Sequence, residues 1–251
     1  MSEHEKIPGA AARLLEQLRR SQAFHLHGAT VIEQPLRYLR RWQSARLART
    51  HADLLCSPRY RPAALFFLDE LYGDCDFLQR ERDLERVVPA MSRVLPAHVL
   101  HTAALALELN VLSHELDAAM TQLLVENGGL DTPDALDEAR YVAAYRRCGH
   151  YEQRARQLYL VERLGDDLAR IVPKRFIHAA LVLSRTPARL AGVGELHRFL
   201  EAGFSAFRHL GSDAATFVAT IIDRERVILE HMRDGHPRPL EPADADADAI
   251  P

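Results

Sequence analysis

The chain has 251 residues, 47% apolar and 27% charged, with a net charge of -3. That balance excludes disordered, collagen-like and disulfide-framework proteins, and the length suits one large domain with a sizeable core. No run approaches the ~18 consecutive apolar residues of a bilayer span, because even the most apolar stretches carry Glu108, His178 or Arg185.

Met1 to Pro8 has no basic segment leading into an apolar one, so a cytoplasmic location without membrane insertion is expected. Cys56, Cys75 and Cys148 share no short spacing and read as isolated thiols. All but two of the basic residues, Lys6 and Lys174, are arginines, in keeping with a GC-rich coding bias.

Apolar residues recur at three- and four-residue steps, and no period-two stretch is bounded by hairpin dipeptides, which predicts an all-α fold. In chain order, helices are expected over 8–23, 35–56, 62–72, 77–94, 97–126, 133–148, 150–171, 174–185, 192–210 and 213–234. Pro62 opens one helix that Gly73 can close, and Asp76 with Gln79 has capping-box spacing. Thr132-Pro133-Asp134 offers an N-cap, a proline at the first helical position and an acid for the dipole. Ser212 is expected to cap the last helix.

The 97–126 helix is apolar on nearly every face, so it should lie at the centre, with the short PAALFFLDELYG helix beside it. The expected architecture is a single-domain bundle of about ten helices over residues 1–236. No repeat of solenoid period occurs. From Pro237 the chain is rich in Pro and Asp and ends in ADADADAIP, which reads as a disordered acidic tail over 237–251.

Charged residues on apolar helix faces carry most information, because burying one demands a partner, a proton or a ligand. Glu225 interrupts the face formed by Phe217, Val218, Ile221, Ile222, Ile228, Leu229 and Met232. Glu108 lies within ALALELNVL of the central helix. Arg154 and Gln157 sit at the edge of the face that buries Leu158, Val161 and Leu168, and Arg154 is expected to neutralise one of the two glutamates. With His101, one heptad before Glu108, these residues form a buried polar network that fixes helix register.

The alternative is a metal- or haem-dependent enzyme on a ferritin-like or haem-oxygenase-like bundle, with Glu108, Glu225 and His101 brought together. The paired Glu-x-x-His of di-iron bundles is absent. His51, His178 and His197 receive no role, and there is no Gly-x-Ser-x-Gly elbow, phosphate loop or dinucleotide fingerprint. Arg37, Arg40, Arg41, Arg46 and Arg49, interleaved with Tyr38 and Trp42, form a basic face that could meet phosphates. A pI near 6.5 and the lack of a helix-turn-helix signature disfavour nucleic acid.

The segments WQSARLARTHADLL, RYRPAALFFLDELYG and DFLQRERDLERVVPAM resemble an uncharacterised helical family of proteobacteria, over most of residues 36 to 234. That resemblance implies an all-helical single domain and carries no known activity, cofactor or site residue. The residues alone point to a non-enzymatic binding or interaction protein, its partner another protein or a second copy of the chain.

Overall fold

The computed structural model describes residues 9–28, 33–71, 77–128, 130 and 132–241. Among them every regular element is helical, and the chain is an all-α single domain. The helices are α1 (Gly9–Gly28), α2 (Glu33–Thr50), α3 (Ala52–Cys56), α4 (Arg61–Phe66), α5 (Phe77–Val94), α6 (Ala97–Glu126), α7 (Glu138–Cys148), α8 (Tyr151–Ile171), α9 (Arg175–Leu183), α10 (Arg185–Leu190), α11 (Gly194–Leu210) and α12 (Ala214–Asp234). No helix among the described residues is long and apolar enough to cross a membrane.

The apolar character of α6 on all sides has the expected consequence: α1, α2, α5, α7 and α8 all pack on it. Pro96, held at φ -59° and ψ 148°, starts the helix, and Asn127 closes it by donating to the Leu123 carbonyl. Helix α8 runs antiparallel to α6, since Thr102 meets Asp167, Ser113 meets Gln157 and Met120 meets Arg154. Helix α12 also packs against α8. Its closeness depends on Gly165, where a Cβ would stand 2.6 Å from a Val218 methyl carbon.

Several boundaries differ from the expectation. The span 35–56 is two helices, broken at His51. Arg224 of α12 secures the break by donating to the Thr50 carbonyl at 3.3 Å and gripping the Asp53 carboxylate at 2.7 and 2.9 Å. Pro133–Ala135 forms only a 3-10 turn, and the helix begins at Glu138 because Asp137 accepts from the Arg140 amide at 2.8 Å. Ser212 does not cap α12; it lies in a 3-10 turn and its hydroxyl donates to Asp213. The contribution of Gly73 and the Asp76–Gln79 pair lie outside the described residues.

The short α4 continues through a π-helical turn over Phe67–Leu71 and packs chiefly on α11 rather than beside α6. Gly203 of α11 is the reason. A Cβ there would meet the end of the Phe66 ring at 2.7 Å, so only glycine lets that ring lie on the helix backbone. Past α12 the chain folds back far enough to bury Leu240, which the sequence places in the tail; residues 242–251 lie outside the described residues.

The buried apolar residues fall into three clusters. One joins α2, α6, α7 and α12 around Met120, Tyr141 and Met232; a second joins α4, α11 and α12 around Phe207 and Phe217; a third joins α1, α5 and α6 around Leu14, Leu18 and Leu100.

Candidate functional site

A cavity of about 900 Å³ runs between these clusters. One end is walled by α2, α6, α7, α8 and α12. The polar side chains of α6 that line it, Asn110, Ser113, His114 and Asp117, follow the three- and four-residue spacing of one helix face. The other end is apolar, built from Val161, Leu164 and Leu168 of α8, Leu196, Phe199, Phe204 and Phe207 of α11, and Ile177 and Leu181 of α9. Several of these, among them Phe199 and Phe204, are half-buried.

Glu225 stands at the polar end, as its apolar surroundings imply, and Arg46 is its partner. Arg46 Nη1 donates to Glu225 Oε1 at 2.5 Å, and His51 Nε2 lies 3.2 Å from the same oxygen. Burial pushes the Glu225 carboxyl up, but the guanidinium of Arg46 and the hydrogen bond from His51 outweigh it and hold the pKa at about 2. The carboxylate is ionised.

Asp117 of α6 accepts from Arg40 at 3.2 Å and from Gln43 at 3.1 Å. Here burial dominates and raises the carboxyl, with Arg40 and Gln43 pulling the other way.

Arg154 is the third guanidinium at this end, 7% exposed. It does not neutralise Glu108 or Glu225. Its guanidinium carbon lies 3.7 Å from the centre of the Tyr145 ring, and Nη2 reaches only the Met120 thioether, at 3.8 Å. Burial raises the Cys148 thiol against the pull of Arg154, and burial raises the Tyr145 phenol likewise, so both stay protonated beside it. Among the described residues no carboxylate lies within ion-pair distance of Arg154. Buried atoms without a hydrogen-bond partner at this end include Arg154 Nε, Gln43 Oε1 and His51 Nδ1.

The remaining candidates separate. Glu108 pairs at the surface with Arg156, at 2.7 and 3.0 Å. Arg156 follows Arg154 by two residues, about half a turn round α8, so Arg156 meets Glu108 at the surface while Arg154 turns inward between Met120 of α6 and Tyr145 of α7. Gln157 donates to Ser113 at 2.7 Å. His101 is half-buried on α6, away from both glutamates' partners. The structure does not bring Glu108, Glu225 and His101 together. Among the described residues no three His, Cys, Asp or Glu side chains converge on a point that could hold a metal ion.

The basic face of α2 is likewise divided. Arg40 and Arg46 turn inward to Asp117 and Glu225, and Trp42 stacks on Tyr141 with centroids 4.0 Å apart. Arg37, paired with Glu33, and Arg41 and Arg49 are exposed. The residues that sequence reasoning missed, His51 and Asp117, gave a faint signal: Asp117 lies one heptad after Asn110 on an otherwise apolar helix.

No curated protein and no solved structure matches the chain. A family model described as Domain of unknown function (DUF8198) matches residues 23–239, and the chain belongs to that family.

Proposed function

We propose that the chain is a non-enzymatic binding protein whose interior cavity holds an amphipathic small molecule. The observation that carries this is the cavity itself: about 900 Å³, charged at one end and mostly aliphatic and aromatic over the rest of its length. Small-molecule sites are concave spaces of roughly 300 to 1,000 Å³ with apolar walls and a few convergent polar groups.

The carboxylates here already accept hydrogen bonds from arginines, an arrangement suited to holding shape rather than moving protons. The test is fluorescence titration of the full chain with the neutral dye Nile red. Saturable binding is expected, together with its loss in Ala180→Trp, which fills the cavity from α9 while melting near the wild type. Absence of saturable binding would overturn this reading.

A further inference from the structure

The polar end of the cavity holds three guanidinium groups and two carboxylates. Arg46 is matched by Glu225 and Arg40 by Asp117. Arg154 touches the Tyr145 ring, the Met120 sulfur and the Cys148 thiol, all uncharged, and feels the Asp117 carboxylate only from beyond ion-pair distance. The other groups facing this end, His51 and His114, bring no negative charge. Arginine does not lose its proton in proteins, so this side chain cannot escape by neutralising itself as a lysine would. A buried guanidinium with an unpartnered Nε, lining a cavity, lacks one negative charge.

The apolar end fixes the rest of the missing molecule. Leu164, Leu168, Phe199 and Phe204 continue the same space away from Arg154 and offer no polar contact. On the reading that the cavity is a small-molecule site, we propose that its ligand is an amphipathic monoanion, a carboxylate on a hydrocarbon chain, with the carboxylate on the Arg154 guanidinium and the chain among these four residues. A planar carboxylate matches the donor fork of arginine, and one unmatched cation calls for one negative charge.

Calorimetric titration of the full chain with decanoate, 1-decanol and decyltrimethylammonium separates head from tail. Decanoate should bind roughly 10- to 100-fold tighter than decanol, the range for hydrogen bonds to a charged group, and decyltrimethylammonium more weakly than either. Arg154→Met should bring decanoate to the level of decanol without moving decanol, and Arg154→Lys should keep part of the preference. Equal affinity of the wild type for decanoate and decanol, or a preference that survives Arg154→Met, would overturn the head-group assignment and leave the cavity reading standing. Failure of all three to bind would overturn the cavity reading. The wild-type series decides even if a variant does not fold.

Discussion

Where α2 meets α12 the chain buries ionised groups, and at α9 and α10 it leaves aliphatic ones in water. Glu225 and Arg46 are each nearly sealed from solvent, whereas Leu183 and Leu190 are 76% and 85% exposed. Both regions border the same cavity. At the first, Glu225 is held by Arg46 and His51, and Asp117 by Arg40 and Gln43, so each carboxylate is fixed from two directions. At the second, α9 packs chiefly on α10 and α10 on α11, with little that would resist movement. The contrast separates a polar end held by paired charges from an apolar end whose helices pack on few neighbours; on the proposed reading, the first sets the ligand's head and the second receives its tail.

The sharpest way to break this contrast is to orphan a charge. Arg46→Leu leaves the Glu225 carboxylate buried without its cation and should cost roughly 3 to 5 kcal/mol in urea melts. Arg46→Leu with Glu225→Leu should recover most of that, because the two charges leave together. Arg154→Met, by contrast, removes a cation with no carboxylate within ion-pair distance and should cost no more than about 1 kcal/mol. A loss at Arg154 as large as that at Arg46 would show that position, not pairing, governs the cost.

Acid titration sharpens the same point. The folded pKa of Glu225, about 2, lies below its ordinary 4.5, so its contribution is complete above pH 4.5 and is lost as pH falls toward 2. Each pH unit between the two values is worth about 1.4 kcal/mol, which makes the whole on the order of 3 kcal/mol. Asp117 works in the opposite sense, since its raised pKa relieves the fold as it protonates. The measurement is therefore the difference in unfolding free energy between wild type and Glu225→Gln. It should be constant above pH 5 and narrow below pH 4; a difference that does not change with pH would show that the Glu225 carboxylate is not held by Arg46.

A smaller effect is expected at Gly165, where α8 and α12 approach most closely. Gly165→Ala sets a methyl group against Val218 and should cost about 1 to 3 kcal/mol, the range for overpacking. An unchanged thermal midpoint would show that the two helices can separate without loss.

How far the sequence leads differs between these regions for a physical reason. The ends of α5 and α6 follow directly from apolar period and from Pro96, which act within one helix. Glu225 is legible as a buried acid because its helix face is otherwise aliphatic. Its partner is not. Arg46 lies 179 positions earlier among other arginines, and only the packing of α2 on the rest of the bundle distinguishes it from exposed Arg41 and Arg49. The same blindness to distance exchanged Arg154 for Arg156 at Glu108: two residues on one helix, facing opposite ways, differ only in which neighbour stands opposite. The cavity leaves no trace in the period at all, since residues that line a void and residues that fill a core are equally apolar.

The apolar end yields the smallest expected effect, and the most discriminating one. Leu183→Ser and Leu190→Ser should each change stability by less than about 0.5 kcal/mol, as surface substitutions do, because neither side chain gives up much water on folding. Amide exchange followed by mass spectrometry should show α9 and α10 opening far more readily than α6, whose backbone is enclosed by five neighbours. If the serine variants instead destabilise the chain by 1 kcal/mol or more, as burial of those leucines would require, then α9 and α10 are held against other apolar surface in solution, and the loosely attached end of the cavity is closed.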